Sequence, residues 1–246
     1  MKKTKNKIYF ASDFHLGNMN LNQSHDRERK IVKWLNQIKK DAKAVYLLGD
    51  VFDFWFEYKK VVPKGFVRLL SKLSELIDDG IEIHFITGNH DMWIRDYFSN
   101  EIGIITHFEN QIINIDNKKI MIGHGDGLGN GDFTYKLLKN IFTSKLCRML
   151  FSAIHPDIGI TIAQIWSKNS RKKKANSNYN KDKDILLKYC KDKCIDETID
   201  YFIFGHNHHP LEVKINNNCT YFNLGDWITH YTYVVIENNQ AFLKKF

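Results

Sequence analysis

Five short polar clusters are spread along a chain of 246 residues. They are Ser12-Asp13-Phe14-His15, Gly49-Asp50-Val51-Phe52-Asp53, Gly88-Asn89-His90-Asp91, Gly123-His124-Gly125-Asp126 and Gly205-His206-Asn207-His208. Their carboxylate and amide oxygens and imidazole nitrogens suit manganese, iron or zinc better than calcium, which prefers oxygen alone. Two cations held close together need a shared anion to offset their repulsion. Asp50 is the candidate, as the lone carboxylate at the tip of the apolar run Ala44-Val45-Tyr46-Leu47-Leu48. One ion then takes Asp13, His15, Asp50 and His208, and the other takes Asp50, Asn89, His124 and His206. Such a pair, about 3.5–4 Å apart, acidifies water near neutral pH and neutralises charge on phosphate oxygens. Taken singly, each cluster is ordinary turn chemistry. The set is not, because most of its members follow a candidate strand, and α/β folds gather their chemistry at the carboxyl ends of strands.

The elements that must carry these clusters follow from apolar spacing. Lys7–Ala11, Ala44–Leu48 and Glu82–Thr87 read as strands, and the unbroken apolar run of the second is what a sheet covered on both faces requires. Ser24–Lys40 and Pro63–Asp79 read as helices, with Ile31, Trp34, Leu35 and Ile38 on one stripe and Phe66, Leu69, Leu70, Leu73 and Leu76 on the other; Gly80 stops the second. Phe108–Ile115 and Lys118–Ile122 flank Asp116-Asn117, a hairpin turn. Tyr201–Phe204, Leu211–Ile215, Thr220–Asn223, Tyr231–Glu237 and Ala241–Phe246 supply later strands, with Asn216-Asn217-Asn218 and Asn238-Asn239 as turns. Between Gly131 and about Asp184 the pattern turns helical, with Pro156 and Gly159 breaking it. Apolar helices there run into Lys168-Asn169-Ser170-Arg171-Lys172-Lys173-Lys174, the pattern of a lid at a membrane interface or around an amphiphile; an ordinary helical pair packed on the core, with a solvated Lys-rich loop, gives the same pattern.

Hydrophobic residues make up 43% of the chain and the formal charge is +8. A folded α/β domain spanning residues 1–246, with an insertion at about 131–184, accommodates that length. The charge favours an anionic partner such as phosphate, nucleic acid or an acidic membrane face, although a basic solvated surface gives the same sum. Cys147, Cys190, Cys194 and Cys219 form no CxxC pair, which points to a reducing compartment. The apolar stretch after Met1–Lys7 is too short for a signal peptide, and no segment reaches the roughly 20 apolar residues that span a bilayer. Asp53, Asp91 and Asp126 are expected to orient ligands or cap helices. Phe52, Phe54, Trp55, Phe56 and Tyr58 are expected in the core or a cleft wall. His25, His84, His107 and His155 have no partner pattern, and His209 is not expected to be a ligand.

The order DxH, GDxxD, GNHD, GHGD and GHxH resembles the calcineurin-like metallophosphoesterase superfamily, from Ile8 to the last strand. The resemblance implies an α/β fold, a four-layered α/β/β/α sandwich holding two divalent ions. It also implies catalytic roles for Asp50 and for His90, which would contact the scissile phosphate and protonate the leaving oxygen.

Within that superfamily, the chain resembles the UDP-2,3-diacylglucosamine hydrolases of lipid A biosynthesis. The carrying features are Leu48-Gly49-Asp50-Val51-Phe52-Asp53-Phe54-Trp55, the His124-Gly125-Asp126 loop running on to Asp132, Asn169-Ser170-Arg171, His206-Asn207-His208-His209-Pro210 and Asn223-Leu224-Gly225-Asp226-Trp227. The resemblance implies attack of water on the pyrophosphate, giving UMP and 2,3-diacylglucosamine 1-phosphate, with Mn2+ as the usual cofactor. It implies substrate contacts at Asn89, His90, Asp132, Ser170 and His206. His90 departs from the pattern, since the family often carries Arg there. The expected partners are a lipid-nucleotide and an anionic membrane surface, at the cytoplasmic face of the inner membrane. No nucleic-acid module is visible, and no obligatory protein partner is expected. A general phosphodiesterase or nuclease of the same superfamily, and a catalytically silent scaffold of the same fold, are the competing readings.

Overall fold

The computed structural model describes residues 5–17, 20–131, 133–175 and 184–246, with backbone alone for 168–175. Asp132 lies outside the described residues, as do the side chains of Ser170 and of Arg171–Lys174.

The first strand, β1 (Lys7–Ala11), sets the plan. Successive strand side chains point to opposite faces, and here both faces are covered. Tyr9 and Ala11 face one apolar cluster and Ile8 and Phe10 face another. β1 pairs in parallel with β2 (Ala42–Leu48), which pairs in parallel with β3 (Glu82–Ile86), and that with β4 (Ile105–His107). On the other side β1 pairs antiparallel with β10 (Thr232–Glu237), which carries the edge strand β11 (Gln240–Lys245). A second sheet has the order β5 (Gln111–Ile115), β6 (Lys118–Gly123), β7 (Tyr201–Phe204), β9 (Thr220–Asn223), β8 (Leu211–Lys214). Its three central strands are parallel and its edges antiparallel.

Three apolar clusters define the four layers. α1 (Leu21–Ile38) and α2 (Val67–Asp78) lay Ile31, Trp34, Leu35, Leu69 and Leu73 on Tyr9, Val45 and Phe85 of the first sheet. Phe10, Ala44, Leu48 and Ile86 meet Ile120, Ile122, Ile203 and Phe222 between the sheets. α6 (Ile185–Asp196) packs Leu186, Leu187 and Cys190 on Phe202, Phe204 and Tyr221 of the second sheet. Burying each such side chain contributes about 1.5–3 kcal/mol. The chain is thus the expected α/β/β/α sandwich.

Several boundaries differ from the sequence reading, for local reasons. α1 begins three residues early because the Asn20 side chain accepts from Gln23 N. α2 begins at Val67 rather than Pro63, because Phe66 turns left-handed at φ 58°. Its first amides are capped from α1, where buried Glu28 accepts from Arg68 N and Leu69 N at 3.0 and 3.1 Å. A π-helical turn (Phe98–Ile102) and the short β4 went unread. Both hairpin turns are as expected: Asp116-Asn117 and Asn238-Asn239 carry positive φ throughout, as a type I′ turn requires.

The insertion is helical: α3 (Phe133–Thr143), α4 (Lys145–Ser152) and α5 (Pro156–Ala175). Pro156 does not break a helix but starts one, where its missing N–H costs nothing. Gly159 lies inside α5, and its lack of a side chain serves packing: a Cβ there would stand 2.7 Å from Tyr58 Oη and 3.1 Å from Phe151 Cζ. No residue of α3 or α4 is buried. No helix among the described residues is long and apolar enough to cross a membrane.

Candidate metal centre

The clusters meet at the carboxyl ends of β1, β2, β3, β6 and β7. Three groups of ligand atoms form there, each with its atoms within 4.8 Å of one another: His15/Asp53/His90, and the pair Asp13/His15/Asp50/His208 and Asp50/His124/His206. Asp50 belongs to both members of that pair. Its Oδ2 lies 3.7 Å from His15 Nε2 and 3.2 Å from His124 Nε2. His208 Nε2 stands 3.2 Å from Asp13 Oδ1 and 3.1 Å from His15 Nε2. His124 Nε2 is 3.2 Å from Asn89 Oδ1 and 3.2 Å from His206 Nδ1. All seven side chains chosen from sequence as ligands therefore converge, around the carboxylate chosen as the bridge.

The backbone explains how such short clusters aim so many donors inward. Asp13, His15, Asp50, His206 and His208 all have positive φ, between 44° and 68°. That region is costly for most side chains, but Asp, Asn and His populate it several-fold more than other residues. The loops also press together. A Cβ on Gly88 would stand 2.3 Å from Asp50 Oδ1, so only glycine lets the third loop lie against the second. Asp91 stitches the pair, accepting from Gly88 N at 2.7 Å and Val51 N at 2.8 Å. Buried Arg27 donates to Phe14 O and His15 O at 3.0 and 2.8 Å, holding the first loop.

The donor set fits divalent ions on its own chemistry. His124 Nδ1 donates to Leu48 O at 2.9 Å, because a carbonyl can only accept, so Nε2 is the nitrogen that can ligate when an ion takes the place of its proton. His15 Nδ1 faces Asp53 Oδ1, and His208 Nδ1 faces Asp226 Oδ2, both at 3.5 Å. With a proton on each Nδ1, the paired Nε2 atoms turn lone pairs toward one another, as imidazoles around a cation do when carboxylates orient them. Asp13 Oδ1 is buried and makes no hydrogen bond among the described residues. Lone pairs gathered in a buried site repel unless something positive stands among them.

The titration of the site tells the same story. Burial lowers His15, which favours the neutral, ligating ring. Burial works against charge on Asp13 and Asp50 too, yet the neighbouring imidazoles hold both carboxyls well below the usual range. Burial would also lower His124, but the Asp50 carboxylate overrides it and raises that ring to about 10. A proton there answers the same negative field that would draw a metal ion. Asp226 is lowered to about 2 against its burial, by the His208 ring and the Thr229 and His230 amides. Asp91 is pushed up to about 7, by burial first and then by the Asp50 charge.

Around the ligands, His90 holds its ring edge-on to His15, centroids 4.9 Å apart. Its Nε2 is 3.9 Å from Asp50 Oδ2, and its amide donates to Asp50 Oδ1 at 2.9 Å. Asp126, expected to orient ligands or cap a helix, stands near His124 and His206 and also anchors the insertion: Tyr135 Oη and Lys139 Nζ both donate to its Oδ2 at 2.6 Å. Phe54, Trp55, Phe56 and Tyr58 form the aromatic wall expected of them, with Phe151 of the insertion against Phe54, Phe56 and Trp93. His209 faces His230 at 6.0 Å between ring centroids. Arg27, Asp226 and Ser167 were not singled out from sequence. For Asp226 the signal was present, in a Gly-Asp-Trp string that resembles the family's.

Comparison with known proteins agrees with this architecture. Residues 6–210 match the family model described as calcineurin-like phosphoesterase, and the chain belongs to that family. Curated relatives that it matches include several named UDP-2,3-diacylglucosamine hydrolase. The one from Porphyromonas gingivalis is 34% identical, over 98% of this chain and 97% of its own. Those from Haemophilus influenzae and Haemophilus ducreyi are 27% and 28% identical, over 92% and 89% of this chain and 93% and 91% of theirs.

Proposed function

We propose that the chain hydrolyses the pyrophosphate bond of UDP-2,3-diacylglucosamine, releasing UMP and 2,3-diacylglucosamine 1-phosphate, with two Mn2+ ions. The observation that carries the reading is Asp50 Oδ2 standing within both of the paired groups of ligand atoms, with His90 beside it. Relatives at this coverage bear the activity's name, which supports the particular substrate over a general phosphodiesterase or nuclease. The intact donor set argues against a silent scaffold.

Asp13, His15, Asp50 and His208 would hold one ion and Asp50, Asn89, His124 and His206 the other. Ions bound there supply the charge that acidifies a water and neutralises phosphate oxygens. The chain's own residues do the rest. Asp50 spans the two ligand groups and fixes their separation. Asn89 and His206 line the phosphate side. His90 Nδ1 donates to Asp53 O at 2.9 Å, so its Nε2 is the atom left to carry a proton toward the leaving oxygen. Asp132 and Ser170 are proposed substrate contacts on the insertion side.

The insertion is proposed to receive the acyl chains. Leu137, Ile141, Leu146, Met149, Leu150, Ile162 and Trp166 are all exposed on it, an apolar surface beside the site that water alone leaves unsatisfied. Binding energy from chains lodged there positions the distant pyrophosphate. The same surface and the net positive charge suit an anionic membrane face, at the cytoplasmic side of the inner membrane. Product identification after incubating purified protein, Mn2+ and UDP-2,3-diacylglucosamine tests the reading: UMP is expected, and UDP would mean that a different bond breaks.

A further inference from the structure

The insertion reaches His90 directly, through a residue that no metal-ligand or substrate motif includes. Ser167 on α5 is buried, and its Oγ lies 3.1 Å from His90 Nδ1. The same Nδ1 lies 2.9 Å from Asp53 O. Since a carbonyl only accepts, Nδ1 carries a proton, and Ser167 Oγ faces that N–H as a second acceptor. The ring is therefore gripped on one edge by two elements of different origin. Asp53 O belongs to the loop after β2, which carries Asp50. Ser167 belongs to the insertion, whose α3 and α4 have no buried residue. The opposite ring edge presents Nε2 to the site.

We propose that Ser167 is a positioning residue for His90, so that the aim of the His90 ring depends on where α5 sits. The proposal rests on the reading above, in which His90 meets the substrate phosphate. It adds a route by which filling the apolar surface of the insertion is felt at the reacting bond: a shift of α5 moves Ser167, and Ser167 turns the imidazole. It also fits the presence of His90 where the resembling family often has Arg. An imidazole offers two ring nitrogens, and Nδ1 meets Ser167 on the insertion side as well as Asp53 O.

The test has two arms. In the first, histidine-15N NMR of metal-free protein compares wild type with Ser167→Ala. The His90 ring signals are expected to move while those of His84 and His107 stay; unmoved His90 signals would overturn the proposal. In the second, Ser167→Ala is expected to lower kcat on the lipid-nucleotide about 10-fold, the low end for removing an outer hydrogen-bond partner, with KM unchanged. Ser167→Thr, which keeps the hydroxyl, restores most of the rate. Placed on His90→Ala, the Ser167→Ala change has no further effect. A raised KM with kcat intact would make Ser167 a substrate contact and overturn the positioning role. If wild-type protein cleaves no phosphate substrate, the function reading fails, and the proposal then stands or falls on the NMR comparison.

Discussion

The Nε2 atoms of His15 and His208 lie 3.1 Å apart, although the two residues are separated by 193 positions in the sequence. Behind each ring stands a carboxylate, Asp53 for His15 and Asp226 for His208. Such an arrangement is stable when a cation sits between the rings and costly when none does. Asp226→Asn keeps the shape but weakens the orientation of His208. Metal affinity is expected to fall by about 10- to 100-fold, read by calorimetric titration of metal-free protein with Mn2+. Undiminished affinity would remove Asp226 from the site.

Chelation is expected to destabilise the fold, since ions that bind the folded chain alone stabilise it by mass action. Saturation at about 100 times Kd is worth about 2.7 kcal/mol per site. The melting temperature with EDTA should lie below that with Mn2+, and Asp50→Asn should reduce both the gap and the metal content per chain. An Asp50→Asn protein that retained wild-type hydrolysis would reject the shared-ligand assignment.

The acyl-chain role of the insertion separates two substrates. Leu146→Glu and Met149→Glu replace exposed side chains, so folding should be little changed. Hydrolysis of the lipid-nucleotide is expected to drop, while that of bis(p-nitrophenyl) phosphate, which has no acyl chain, is maintained. A matched loss on both substrates would place these residues outside chain binding.

Glu28 offers a stability test that involves no ligand side chain. Its Oε1 receives two amides of α2, and Glu28→Ala leaves those donors without their cap. The expected loss is about 1–2 kcal/mol, measured by urea unfolding of metal-free protein.

His84 and His107 give the fold an acid-side weakness. Their facing nitrogens are 3.1 Å apart, and His84 stacks on Tyr46 at 4.2 Å between centroids. Burial lowers the pKa of both rings. The unfolded chain therefore takes up protons near the ordinary histidine value of about 6.5 while the folded chain resists them. The stability these rings confer is complete above that pH and is lost as pH falls below it. Unfolding midpoints from pH 8 to pH 5 should decline less steeply in His84→Phe, which keeps the stack without the titration. An identical slope would show that the pair does not contribute.

Much of this was legible in the amino-acid order. Strands such as Lys7–Ala11, Ala44–Leu48 and Tyr201–Phe204 announce themselves by apolar runs ending at turn residues, and the ligands follow at their tips. What stayed hidden depended on distant partners. The start of α2 is set by Glu28, some forty residues earlier, and no local pattern reports that. β4 has only three residues and exists because β3 offers it an edge. Gly159 looked like a helix breaker because its neighbour in space, Tyr58, is remote in sequence. Ser167 was invisible for the same reason, since nothing in α5 alone says that an imidazole waits across from it.

The left-handed turns at Asp13, His15, Asp50, His206 and His208 have a consequence for traffic in and out of the centre. Each such conformation costs about 1–3 kcal/mol, and that cost falls on folding, not on capture. If the metal-free chain keeps that winding, little rearrangement delays uptake of an ion. Exchange of one ion for another should then be governed by how fast the incoming ion sheds its water, and a rapid-mixing experiment would rank metals by that rate.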